Sequence, residues 1–313
     1  MATLLKSQEL RDDLAFVEAQ LRKFPDPCDT IGFMWRQRKK DLERQLSAEE
    51  AQVDEYAEVA ILFDGAPVVG SEEIRLQFAT KILENYQALV SVLAAEKGGA
   101  ALKAKGQVPK AANSKLFIKD MLRGSVGFLL QEPRSSQNAM LPTVLKEAVE
   151  EASSVLRDLS SETLADFQVR ADSLSPRAIN AVKKIAKTLN DSGAEARIVG
   201  SQQELQLGYG AIASLAARLN EVEILEQRET QDGEVLGIFP DRQQYEFRVK
   251  KDNTVIYGSV SEDLDRHYLS NPASILLQPV KATFLVLTKR RGDQVQSSEK
   301  ILETLTPLAA ESE

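Results

Sequence analysis

The stretch EVLGIFPDRQQYEFRVKKDNTVIYGSV, residues 234–260, decides how the C-terminal third of the chain is read. Tyr245, Phe247 and Val249 alternate with Glu246, Arg248 and Lys250, the period-2 pattern of a half-buried strand. Lys251-Asp252-Asn253 is turn chemistry, and 254–260 returns to β-branched and aromatic residues. Residues 234–239, 244–250 and 254–260 are therefore expected to form three consecutive antiparallel strands.

Working outward, Asp232-Gly233 reads as a turn, with 222–228 as a lead-in strand before it. SEDLDRHYL, 261–269, reads as a short helix capped by Ser261. Strands at 280–289 and 297–305 follow, joined through Arg291-Gly292-Asp293. Three strands, a helix and two strands is the order of an OB-type barrel. An SH3-like barrel competes with it. Gly237 and Gly258 fall where a small barrel needs bends.

The N-terminal end has a different period. Leu10, Leu14, Val17 and Leu21 are spaced 4, 3, 4, a coiled-coil seam. Two prolines in FPDPCDT, 24–30, stop that helix. A second helix from about Ile31 carries Trp35, Leu42, Leu46, Val53 and Tyr56 on its stripe. Residues 1–56 thus predict an antiparallel helical arm that must dock on something, because thin seams stabilise little alone.

Between arm and barrel, residues 57–220 predict a mixed α+β domain with β-hairpins and several helices. EVAILFDGAPVVG, 58–70, reads as a hairpin about Asp64-Gly65, and Ser71 as the cap of the next helix. KLFIKDMLRGSVGFLLQEP, 115–133, reads as a second hairpin. Helices are expected over 141–159, from Ser161, from Ser175-Pro176 to Gly193, and over 201–219, with ARIV, 196–199, as a strand. The fold class is α+β in three parts: arm 1–56, domain 57–220, barrel 221–308, and a disordered tail 309–313.

Composition bounds function. The chain has 313 residues, 43% hydrophobic and 27% charged, with net charge −8. Residues 1–56 carry −3, 57–220 carry +1 and 221–313 carry −6. No segment is basic overall, which argues against a dedicated duplex-DNA binder. No run suits a bilayer, the N-terminus is not a signal peptide, and one cysteine leaves no internal disulfide. A cytoplasmic protein without membrane association is the expectation.

Candidate chemistry is sparse. Gly208, Gly210 and Ala213 have G-x-G-x-x-A spacing. Ser201 and Glu204 form a capping box that would start the helix earlier and leave the glycines inside it. His267 is the lone histidine, on an acid-rich segment, and Cys28 sits between aspartates at 26 and 29. Neither has a paired group, and RGD at 291–293 reads as a turn. No catalytic, cofactor or metal residues are assigned, and an enzyme using carboxylates and a metal ranks last.

Two cationic features remain. MWRQRKK, 34–40, places Arg36, Arg38, Lys39 and Lys40 beside Trp35. The acid-free stretch 97–115 carries five lysines, including Lys103, Lys105 and Lys110, and reads as a mobile basic loop inside the domain. With Arg242, Arg248, Lys250 and Tyr257 on the barrel, these would contact single-stranded nucleic acid or phosphate. Lys289, Arg290 and Arg291 form another cationic cluster. The leading expectation is a non-enzymatic assembly protein, a homo-oligomer or partner-docking chain. Single-strand binding through the barrel is the alternative.

Overall fold

The computed structural model describes residues 3–23, 30–50, 55–99, 102, 114–122, 126–133, 142–200, 203–239, 244–261, 264 and 276–308. The arm is α1 (Thr3–Leu21) packed antiparallel on α2 (Thr30–Glu50). Leu10, Val17 and Leu42 are buried in its seam, with Leu14, Leu21, Trp35 and Leu46 beside them. Phe16 meets Trp35 edge-on, with ring centroids 6.0 Å apart. Val53 and the Cys28 loop lie outside the described residues.

The central part runs β1 (Glu58–Gly65), β2 (Val68–Val69), β3 (Glu73–Ile74), α3 (Leu76–Lys97), β4 (Phe117–Leu122), β5 (Val126–Gln131), α4 (Val144–Leu159), α5 (Leu164–Ser173), α6 (Pro176–Ser192), β6 (Ala194–Val199), β7 (Glu204–Leu207) and α7 (Tyr209–Asn220). The large strands form one antiparallel sheet in the order β4-β5-β1-β6-β7. β1 is its middle, so it is apolar on both faces. Val59, Ile61 and Phe63 face the helices, while Ala60 and Leu62 join Leu129 and Val199 on the other face. α1 touches β1 and β6.

Several local readings change here. Asp64-Gly65 does not turn a hairpin: β1 runs to Gly65 and pairs with β5 and β6, while β2 pairs with β3. Ser71 does not cap α3, which starts at Leu76 after Arg75. The cap of α5 is Thr163, not Ser161. Ser175 caps α6 as expected, and Gly193 ends it in the left-handed region. The helix expected over 201–219 is split into β7 and α7. Leu205 and Leu207 alternate inward beside β6, and that burial outweighs the capping-box pattern.

The barrel comprises β8 (Val222–Phe239), β9 (Gln244–Val249), β10 (Val255–Val260), β11 (Pro279–Arg291) and β12 (Gln294–Pro307). Neighbours run β10-β12-β11-β8-β9, closing on β10. All pairs are antiparallel except β10 with β12. Counted from β8, this is a five-stranded Greek-key closure of OB type. The turn read at Asp232-Gly233 is absent: β8 is continuous because β11 pairs with it from Val222 to Glu234. Gly233 lets β8 cross β9, since a Cβ there would sit 2.1 Å from the Arg248 carbonyl oxygen. Gly258 does the same for β10 and β12, at 2.2 Å from the Lys300 carbonyl oxygen. Gly237 sits instead at a register shift in β8. Of the segment read as a helix, only Ser261 and Leu264 are described.

The barrel core centres on Tyr245, Phe247 and Phe284. The barrel seats on the central part through β8 and β11. Val222 belongs to the central core, with Ile224 packed against it. Among the described residues no helix is long and apolar enough to cross a membrane.

Candidate functional site

Two surfaces gather the cationic and aromatic residues singled out in the sequence. On the arm, Arg38 pairs with Asp13 at 3.4 Å, and Lys39 with Glu18 at 2.7 Å and Glu43 at 3.7 Å. The hydrogen bond from Lys39 is the main reason the Glu18 carboxyl sits below its ordinary range. Arg36 is half-buried and also engaged, while Lys40 is exposed. The run 36–40 is thus largely tied within the hairpin, and its apolar neighbours are what remain open. Phe16, Phe33 and Met34 are 56%, 55% and 67% exposed, with Ile31 beside them in chain order.

On the barrel, which seats through β8 and β11, the outer face of β9 and β10 is exposed among the described residues. Tyr257 stands there 67% exposed, directly opposite Glu246. Arg248 is 3.5 Å from Glu234. Lys250 lies at the β9–β10 turn, its backbone N–H donating to the Asp232 carbonyl. Arg242, Lys103, Lys105 and Lys110 lie outside the described residues, as does His267. Only the ends of the lysine stretch are placed. Leu102 is buried in the central core, and the Ser114 hydroxyl donates to Ser91 at 2.9 Å while Gln87 donates to the Ser114 carbonyl.

The third cationic cluster is not a ligand surface. Lys289 is 4% exposed and donates to the carbonyls of Ala171, Asp172 and Leu174, at the C-terminal end of α5. The helix dipole and the last free carbonyls favour a cation there. Arg291 stacks on the Phe167 ring at 5.7 Å and reaches Glu221 at 3.4 Å. Arg218 covers the same ring at 5.7 Å. Gly292 turns the chain in the left-handed region, so the RGD tripeptide is a hairpin turn.

The glycines at 208 and 210 sit differently from expectation. β7 does precede Gly208, and Gly208 is the N-cap of α7. Yet β7 is an antiparallel edge strand, and Glu195 Oε1 already accepts from the Tyr209 N–H at 3.1 Å. A carboxylate occupies the place a dinucleotide phosphate would take. Among the described residues no three His, Cys, Asp or Glu side chains converge as a metal site.

One feature escaped sequence reading. At the mouth of the barrel a cavity of about 600 Å³ opens between β8, the β9–β10 turn and Lys300 of β12. Ile256 of β10 also lines it, next to where β10 pairs with β12 at Ser259–Ile301 and Val260–Leu302. Reading Asp232-Gly233 as a turn hid it, since its β8 wall is Thr230 to Asp232. No family model, no curated protein and no solved structure matches this chain.

Proposed function

We propose that the chain is a non-enzymatic assembly protein that pairs with a second copy of itself through the helical arm. The observation that carries this is the exposure of Phe16, Phe33 and Met34 on a hairpin whose inner seam is already filled. Large apolar side chains left exposed on one element mark an interaction surface. A second copy suits the charge pattern of α2. Its first half holds Arg36, Arg38, Lys39 and Lys40, and its second half holds Asp41, Glu43, Arg44, Glu49 and Glu50. Arg38 and Lys39 already pair within the hairpin, so two such helices laid antiparallel about a twofold axis would meet chiefly through the apolar side chains, with the charged halves setting the direction. The single cysteine suits a reducing, cytoplasmic setting.

Analytical ultracentrifugation of the full chain at micromolar concentration tests this. The parent chain should sediment as a dimer, and F33S/M34S as a folded monomer with an unchanged circular-dichroism spectrum. A monomeric parent, or a variant that still dimerises, overturns the reading.

A second reading is favoured by one observation, the β9–β10 face bearing Tyr257, exposed among the described residues. This is the face through which OB-type barrels hold single strands. Fluorescence anisotropy with a labelled single-stranded oligonucleotide at low salt should then show binding that Tyr257→Ala weakens about tenfold. No binding by the parent chain rejects it.

A further inference from the structure

The central sheet has two unequal edges. β7 is short, four residues with Leu205 and Leu207 buried and Glu204 tied to Arg197. β4 is longer, and five of its six residues, Phe117 to Met121, are exposed. Phe117, Ile118 and Met121 are 56%, 57% and 53% exposed. An edge strand carries unpaired backbone groups outward, and proteins usually cover such an edge or line it with charge. β4 is instead apolar and held in place. β5 pairs with it, and Gln87 of α3 fixes its approach, accepting from the Leu116 N–H at 2.8 Å and donating to the Ser114 carbonyl at 2.6 Å.

The bulge in β4 decides what fits beside it. Ile118 lies opposite Leu130 and Asp120 opposite Leu129, so Lys119 is the extra residue. That residue shifts the alternation. Ile118 and Met121 come to one face of the sheet, with Leu130 and Phe128. Phe117 and Leu122 come to the other, with Gln131 and Gly127. Counted with Lys119 and Asp120 as one position, the strand reads the same apolar pairs from either end. A second β4 laid antiparallel about a twofold axis at the bulge therefore sets Ile118 opposite the second copy's Met121 on one face. On the other face Phe117 meets the second copy's Leu122. At the axis Lys119 of each strand comes beside Asp120 of the other. Among the described residues neither has an ion-pair partner, and Asp120 accepts only from the Met121 N–H at 2.8 Å. A straight foreign strand meets a kink and an ammonium here, whereas a second β4 brings the matching kink and the acid.

We propose that β4 pairs antiparallel with β4 of another copy, joining two five-stranded sheets into one continuous sheet. Six residues a side bury well below the ~1,200 Å² of a stable interface. The contact is therefore weak and acts at concentrations well above those at which the arm pairs. It uses a different surface from the arm, so it stands or fails separately. With both contacts made, each copy has two twofold partners and assembly grows beyond the dimer; that growth alone rests on the arm reading.

Sedimentation velocity of the full chain from micromolar to near-millimolar concentration tests it. The parent chain should grow past its micromolar species as concentration rises. I118K/M121K, changed only at exposed positions, should not. F33S/M34S should still grow, from monomer to edge-paired dimer, which separates this contact from the arm. Disulfide trapping in chains carrying Cys28→Ser reads the register and keeps the test decisive if I118K/M121K does not fold. Ile118→Cys and Met121→Cys chains, mixed and mildly oxidised, should cross-link about tenfold faster than either alone. A species that does not grow with concentration leaves the edge to a strand of another protein and overturns the proposal. So does growth that I118K/M121K leaves unchanged, or trapping that does not favour the mixed pair.

Discussion

Single residues set the fit between strands and the pH response of the seam. Gly258 has only space for a hydrogen where β10 meets the Lys300 carbonyl. Gly258→Ala should cost about 3 kcal/mol by forcing backbone apart, read as a lower urea midpoint. Glu96 shows the electrostatic side. Burial holds its carboxyl above the ordinary range, and Glu299 and Glu151 add to the rise. The hydroxyl of Ser175 and the charge of Arg177 oppose it. A carboxyl whose pKa is raised on folding keeps its proton in the native state where the unfolded chain has lost it. Stability contributed by Glu96 is therefore full in acid and lost as pH rises from the ordinary carboxylate value through the folded one. E96Q, which can still accept from Ser175, should be more stable than the parent at neutral pH. The difference should vanish in acid, as thermal melts across pH 4 to 7 would show. Equal stability of the two chains at neutral pH contradicts this.

At the scale of elements, the arm is the part most legible in sequence and the least supported by packing. Its 4, 3 spacing put Leu10 and Val17 in one seam with Leu42 of the facing helix, because that seam is what joins the two helices. Leu42→Ala should remove about 3 kcal/mol from that seam. An arm of two helices has little reserve, so the expected result is loss of helical signal at 222 nm with the barrel's core intact. A variant that keeps its full helical signal would show the arm held by other contacts. The misread elements share a physical cause. Ser201 to Glu204 and Asp232-Gly233 carry strong local signals for a cap and a turn, but long-range pairing overrides both. β7 gains burial for Leu205 and Leu207 beside β6, and β8 gains an unbroken ladder with β11. Local chemistry at Asp64-Gly65 loses in the same way to a central strand flanked on both sides, and Ser71 falls in the turn between β2 and β3. The candidate site was less legible still. The lysines at 250 and 251 are visible in the chain, but the cavity beside them depends on β8 and Lys300 of β12 meeting the β9–β10 turn, a property of barrel closure.

For the whole molecule, the question is whether barrel and central layers melt as one. Their seam is specific. Lys289 caps the end of α5 with three hydrogen bonds, and Phe167 of α5 lies fully buried between Arg218 of α7 and Arg291 of β11. Arg218 also donates to the carbonyls of Ser161 and Glu162, so the residues before α5 are fixed by the same side chain that stacks on its ring. Removing Lys289 leaves three carbonyls without their donor at a buried helix end, which costs more than the hydrogen bonds themselves contributed. Removing Arg291 uncovers one face of Phe167 and frees Glu221. Each core would survive, since Tyr245, Phe247 and Phe284 pack within the barrel and Leu156, Ile179 and Leu189 within the central layers. Lys289→Met with Arg291→Ala should therefore convert one cooperative calorimetric transition into two. The combined seam loss is about 3–5 kcal/mol, large against the stability of either part alone. A double variant that still melts in one unshifted transition would mean that the Val222 and Ile224 contacts alone couple the two parts.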